Sequence, residues 1–441
     1  MAVAVPDATA AALAETARDG APAATGGRAG TATAPVALYV HVPFCVSLCP
    51  YCDFVVYAGA AARGPRNRVA AFVGAVETEL ALRADVLDER FGEPGSAARP
   101  PLDSVYLGGG TPSLLPPDAI AGLLALIAAR YGVSADAEVT LESNPGPDER
   151  GDAGALRAAG VNRISFGAQS LSAEELRRLG RRHAPADVVD AVAGAREAGI
   201  GSVNLDLLYD IPGADIATWM DTLEAALATA PDHLSLYALT LDDPDAEGLT
   251  TAGGDHLPTV AGARRWRETA RTEQDEDRAA AQYHHATHRL AVDGWRGYEI
   301  SNWARPGHES RHNVVYWDRR SCEAVGPGAH AFDGVVRRWN AARLDAYVAA
   351  LTPGDAAGSR GPHLPPGGEE TIDAETAAAE AVILGLRTDR GVALSAAMEP
   401  PLGDSFGWAL AAELLEVTAD DRVVLTVRGR LLSNELFARM V

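Results

Sequence analysis

From Val36 onward, short runs rich in β-branched and aromatic residues alternate with longer stretches of helical period. That alternation is the pattern of repeated β-α units around a parallel sheet, and it excludes an all-helical or all-β chain. The predicted strands are 36–42, 104–107, 138–141, 163–167, 202–208 and 233–240. Between the first two, Val69, Phe72, Val73, Val76 and Leu80 recur at helical spacing, so one apolar stripe leans on the sheet. Six such units predict an α/β fold of open or partial barrel form. In parallel barrels the chemistry gathers where strands end and loops begin, and the unusual residue clusters of this chain all follow predicted strand ends.

The remainder of the 441 residues reads differently. Residues 1–35 are Ala-, Gly- and Thr-rich with interspersed acids, which fits neither a signal peptide nor a transit peptide; a disordered extension is expected. The barrel is assigned to 36–242. Residues 243–352 open on an acid-rich loop, continue as a polar helical stretch and end in a dense run of Tyr, Trp, Asn and His, and are expected to cap the barrel mouth. A Pro/Gly-rich linker at 353–370 precedes a small α/β appendage at 371–441, with helices at 377–386 and 431–440 around a strand at 423–427.

Charge narrows the partners. With 38 Lys+Arg against 60 Asp+Glu the net charge is -22, which argues against nucleic acid and anionic membrane surfaces. No stretch of about 18 uninterrupted apolar residues occurs, so no membrane span is expected. Four cysteines, three of them crowded together, do not make a disulfide framework, and a reducing, cytoplasmic setting is expected.

Those three, Cys45, Cys49 and Cys52, stand as C-x-x-x-C-x-x-C directly after the first strand, with Pro43 and Pro50 stiffening the loop. Three thiolates so close can wrap one face of an iron–sulfur cube and leave the fourth iron open. A zinc site and redox-active thiols are the alternatives; zinc needs a distant fourth ligand, and the spacing is not that of its usual Cys pairs. Gly108–Gly109–Gly110–Thr111–Pro112–Ser113 follows the second strand, where missing side chains let backbone approach a ligand. Glu142 follows the third strand, and Asp206 is an acid among apolar residues, costly to bury without a partner.

The C-x-x-x-C-x-x-C loop resembles that of the radical S-adenosylmethionine (SAM) superfamily. The strings around it narrow the resemblance to the oxygen-independent coproporphyrinogen III dehydrogenase-like branch, and within it to the heme chaperones called HemW. The resemblance covers residue 36 to the end. It implies a radical SAM partial (β/α)6 barrel with a small C-terminal α/β, winged-helix-like domain, and a [4Fe-4S] cluster on the three cysteines whose open iron is chelated by SAM. It also implies that Gly109, Gly110 and Thr111 contact the amino acid portion of SAM, and that Glu142, Gln169, Arg181 and Asp206 lie at the SAM pocket, with Tyr39 and Tyr51 as ring-bearing contacts. One departure is Asp210, where the family usually has Gly.

Two features separate chaperone from enzyme. The dehydrogenase proper carries a further cysteine two positions after the third, where this chain has Phe54. His312–Asn313–Val314–Val315–Tyr316–Trp317 matches an HNxxYW string that the resemblance associates with heme, and His312 is the expected axial ligand, since neutral imidazole binds heme iron and Tyr and Trp offer flat faces to a macrocycle. His330, in a GxGAH-like string, is left between heme and loop packing. Cys322 is expected to be a free thiol, and His41, His183 and His308 to be structural or solvated.

The expected function is therefore a heme chaperone, with SAM and cluster as cofactors. Its expected partners are heme, an acceptor hemoprotein and an electron donor, and a peripheral contact with a membrane hemoprotein is left open. The enzymatic alternative is a coproporphyrinogen III oxidase of porphyrin metabolism; a radical enzyme acting on another tetrapyrrole is a third reading.

Overall fold

The computed structural model describes residues 30–59, 67–241, 245, 248–353 and 361–440. Six parallel strands lie side by side in chain order: β1 (Ala37–Val42), β2 (Leu102–Gly109), β3 (Val133–Ser143), β4 (Arg163–Gln169), β5 (Ser202–Tyr209) and β6 (His233–Ala238). Each contains a predicted strand or nearly all of it. Val40 pairs with Leu107, Leu107 with Leu141, Leu141 with Ile164 and Ile164 with Val203, all buried. Such apolar registers are what a sheet covered on both faces requires.

The intervening helices lie where the apolar periodicity put them. In Asn67–Phe91, Phe72, Val76 and Leu80 are fully buried, while Val69 and Val73 pack at the margin of the same core. Each fully buried side chain of this kind contributes about 1.5–3 kcal/mol. Helix starts are fixed by side-chain caps: Asp152 accepts from the Ala155 amide, and Asp215 from that of Thr218.

Two expectations are corrected by the sheet. The segment expected to cap the mouth also extends the sheet at both edges. Cys322–Val325 pairs parallel with β1, followed outward by His330–Phe332, Val336–Asn340 and Gly367–Thr371, while Asn302–Ala304 pairs antiparallel with β6. The linker boundary at 370 falls inside Gly367–Thr371, which forms a strand because Val336–Asn340 offers it an unpaired edge.

Residues 1–29 of the expected extension, 354–360 of the linker, and 242–244 and 246–247 of the acid-rich loop lie outside the described residues. Within the expected extension, Thr33 donates its amide to the Asp333 carbonyl, and at the first residue of the expected barrel Val36 donates to the Ser321 carbonyl, which ties the chain to the sheet just before β1.

The C-terminal unit has its own core, built on Leu386, Leu402, Leu414, Val423 and Leu436, around an antiparallel sheet of Val392–Ala393, Arg422–Leu425 and Leu415–Val417. Ile300, from the loop before Asn302–Ala304, packs against that core and so joins the two units. No helix among the described residues is long and apolar enough to cross a membrane.

Candidate functional site

A cavity of about 640 Å3 opens at the C-terminal ends of the six strands. Cys45, Cys49 and Cys52 all line it, half-buried and free of disulfides. The Thr111 hydroxyl donates to Cys45 Sγ at 3.5 Å, and Arg181 Nη1 donates to Cys49 Sγ at 3.3 Å. Burial pushes the Cys45 thiol up to about 11 and raises the Cys52 thiol as well. Among the described residues no three His, Cys, Asp or Glu side chains are grouped to hold a single metal ion. All three sulfurs belong to residues that line the one cavity, and three thiolates are the donor set that one face of an iron–sulfur cluster takes.

The loop that carries them is braced. Arg267, buried on the helix Ala261–Arg271, donates from Nε to the Pro50 carbonyl at 3.0 Å and from Nη2 to the Cys52 carbonyl at 2.9 Å. His41 Nε2 donates to the Val55 carbonyl at 2.8 Å, and its Nδ1 accepts from the Tyr39 hydroxyl at 3.0 Å. Burial holds His41 down to about 4, so this neutral tautomer persists across physiological pH.

The glycine loop needs its glycines. Gly109 has φ +106, and a Cβ there would run into the His41 ring; a Cβ on Gly110 would sit 2.6 Å from the Phe44 carbonyl oxygen. Close approach is used at once, since Gly110 donates its amide to Val42 and Thr111 to Phe44. This loop and the cysteine loop are thereby stitched together at the cavity floor.

Two acids face the cavity from β3 and β5, the strands on either side of β4. Glu142 accepts from the Tyr106 hydroxyl and the Gly109 amide, both at 2.8 Å. Burial, with the nearby Asp206 carboxylate, pushes Glu142 up to about 7 despite those two donors. Asp206 accepts from Ser165 Oγ at 3.0 Å and from the Asn204 amide at 2.8 Å, and burial raises it as well. Gln169 ends β4 at φ +65, where the pairing with β5 shifts register, and this irregularity turns its side chain into the cavity.

Most sequence-predicted site residues thus meet in one place: the three cysteines, Tyr51, Gly109, Gly110, Thr111, Glu142, Gln169, Arg181 and Asp206 all line the cavity. Tyr39 does not; it stands behind the wall, tilted against Tyr106 with ring centroids 6.1 Å apart. His312 does not either. Its Nδ1 meets Ser104 Oγ and its Nε2 the Tyr316 hydroxyl, each at 2.9 Å, and burial lowers it to about 3. Buried with both nitrogens engaged, His312 presents no unengaged ring nitrogen in this arrangement. The same string reaches the cavity one residue later, through Asn313.

Other readings resolve simply. Cys322 is a buried free thiol away from the cavity. His330 pairs with Asp255 at 2.7 Å outside it. Asp210 has φ +55, the conformation for which glycine is suited, and its carboxylate accepts from Arg278 Nε and from the Asp275 amide. His183, read as structural or solvated, does line the cavity, with Nε2 donating to the Ala168 carbonyl at 3.0 Å.

Sequence reasoning missed Tyr106 and Arg163 on the inner wall, Arg267 on the helix that braces the cysteine loop, and Arg387 and Arg430 at the outer end. Tyr106 was within reach, because it alternates with residues of a strand already identified. The arginines carry no local signal that separates them from solvated ones.

The Radical SAM superfamily pattern matches residues 39–226. The heme chaperone HemW of Mycobacterium tuberculosis is 36% identical over 402 residues, spanning 91% of this chain and 93% of that protein. The heme chaperone HemW of Escherichia coli is 33% identical over 296 residues, spanning 67% and 70%. Among solved structures, coproporphyrinogen III oxidase (HemN) from Escherichia coli, described as a radical SAM enzyme, superposes with a TM-score of 0.69 over 92% of this chain and 90% of that one; at 22% identity this is a likeness of fold.

Proposed function

Because the chain belongs to the radical SAM superfamily and, within it, to the heme chaperone HemW family, we propose that it binds heme and hands it to an acceptor hemoprotein. The observation that carries this reading is the meeting, in one cavity, of three free thiols, a glycine loop and two coupled acids. Cys45, Cys49 and Cys52 hold a [4Fe-4S] cluster. Gly109, Gly110 and Thr111 receive the amino acid end of SAM, and Glu142 and Asp206 suit its sulfonium and ribose. Gln169, Arg181 and Tyr51 complete that end, and Tyr39 acts behind it through His41. When bound, cluster and SAM supply an electron and a sulfonium it can cleave.

The residues themselves position and neutralise. Arg181 offsets the charge that gathers at Cys49, and Arg267 fixes the loop so that three sulfurs keep one orientation. An electron donor is a partner in this reading, and the four free thiols agree with a reducing cytoplasm. The oxidase alternative loses support at position 54, where the further thiol would stand: Phe54 is there, 64% exposed.

An anaerobic hemin titration of the cluster-reconstituted protein, with and without SAM, tests the proposal. Saturable one-to-one binding is expected. No binding, together with turnover of coproporphyrinogen III, would replace the chaperone by the oxidase.

A further inference from the structure

The cavity is electrically divided. Its inner part holds Glu142 and Asp206 beside the thiols, and the cations there are occupied: Arg181 with Cys49 and the Gly167 carbonyl, Arg182 with Glu149, and Arg163 near Glu138. Its outer part is walled by the C-terminal unit, which contributes Arg387 at the end of the helix Ala374–Arg387 and Arg430, Ser433 and Asn434 from the last helices. None of the cavity-lining residues that the C-terminal unit contributes is a carboxylate.

Among the described residues neither outer arginine forms an ion pair. Arg430 has a long contact, 3.5 Å, with the Gly297 carbonyl and also donates to the Tyr283 hydroxyl oxygen, which leaves the rest of its guanidinium for a ligand. Arg387 lies over the Trp317 ring, 4.8 Å from its centroid, and its Nε is buried without a hydrogen-bond partner. The acid they share is Glu299, fully buried behind the wall, with Asn302 donating to one carboxyl oxygen and the other unpartnered. Two guanidiniums against one such acid leave this end cationic in a chain of net charge -22.

A planar guanidinium with free donors is suited to a carboxylate. We propose that Arg387 and Arg430 form a receptor for the carboxylates of the bound tetrapyrrole, with the Asn313 amide beside them and Trp317 holding Arg387 in place. The HNxxYW string then serves the ligand through its second and sixth residues, while His312 supports the helix that carries them. The inference rests on the heme reading above and adds to it the end of the ligand that is recognised and the unit that recognises it. The macrocycle enters with its propionate edge toward the C-terminal unit.

The test compares hemin with hemin dimethyl ester, whose propionates carry no charge, by absorbance titration of the full-length, cluster-reconstituted protein. The native chain is expected to prefer the free acid by about tenfold or more, the scale of one to two charge-assisted hydrogen bonds. The double variant Arg387→Gln/Arg430→Gln is expected to lose that preference while binding the ester as the native chain does, and Arg387→Lys/Arg430→Lys to keep part of it. SAM binding, read at the inner end, should be unchanged in both variants and reports that they fold. Equal affinity of the native chain for acid and ester overturns the proposal, as does an undiminished preference in the Gln variant. If the native chain binds neither compound, the heme reading itself fails, an outcome distinct from the other two.

Discussion

Arg267 holds the carbonyl of Cys52 at 2.9 Å, so a residue of the helix Ala261–Arg271 fixes the backbone of a cysteine more than two hundred positions earlier in the chain. The same guanidinium holds Pro50, on the other side of Tyr51, and the loop is pinned twice across one turn.

Replacing Arg267 by Met should leave those carbonyls unpaired and the loop loose. Hydrogen bonds from a charged donor contribute about 1.5–3 kcal/mol each. Iron–sulfur absorbance should therefore decay at least about tenfold faster under chelator in Arg267→Met than in the native chain. Equal decay would show that the loop keeps its shape without the brace.

The triple variant Cys45→Ala/Cys49→Ala/Cys52→Ala should reconstitute with no brown chromophore, while Cys322→Ala should reconstitute fully. Iron and sulfide analysis beside the visible spectrum checks both. A chromophore in the triple variant would remove these cysteines from the site.

Glu142 gives a pH dependence with a definite sign. Its carboxyl is raised to about 7 by burial and Asp206, so below neutrality it is largely protonated and meets a sulfonium as a neutral group. SAM should bind more tightly as pH rises through 7, by roughly tenfold between pH 6 and pH 8 if the cation requires the ionised form. The slope should vanish in Glu142→Gln. Parallel slopes for the two proteins in equilibrium dialysis would place the titrating group elsewhere.

Glu79 is fully buried on the helix Asn67–Phe91 and joins four partners. It accepts from Arg83 Nε and the Asn340 amide on one oxygen, and from the Gly326 amide and the Tyr347 hydroxyl on the other. Glu79→Leu leaves the Arg83 charge buried and uncompensated, which should cost about 3–5 kcal/mol of stability. Urea unfolding measures it, and a loss below about 1 kcal/mol would mean that water reaches Arg83.

His312→Ala should destabilise the fold through loss of its bonds to Ser104 and Tyr316, by about 2–4 kcal/mol for two buried hydrogen bonds and a cavity. The coordination signature of bound hemin in resonance Raman should be unchanged. An altered axial-ligand band would restore His312 to the iron.

How much of this was legible depends on distance along the chain. The six parallel strands were readable because buried parallel strands are written as apolar runs, and the cysteine and glycine loops because each is contiguous and unusual in composition. Asp210 was noted as a departure, and only its backbone conformation and Arg278 explain how an acid is tolerated there. The difference between the expected and the observed setting of His312 has a geometric cause. Successive residues of a helix point about 100° apart, so a string of residue types does not tell which of two neighbours faces the cavity, and here it is Asn313. Arg267, Arg387 and Arg430 were invisible because a positioned arginine and a solvated one are spelled alike.

The cavity takes its floor from residues just after β1 and its outer wall from residues near position 434. During synthesis the thiols leave the ribosome long before the arginines that will stand opposite them. Until the last helices are made, the thiol loop lacks the wall that they supply, and that wall stands only once they pack beside Ile300. If the proposed cluster is built on the nascent chain, its parts meet no obstacle from that wall, whereas building it on the finished chain would take them past the same residues that the proposed tetrapyrrole would pass.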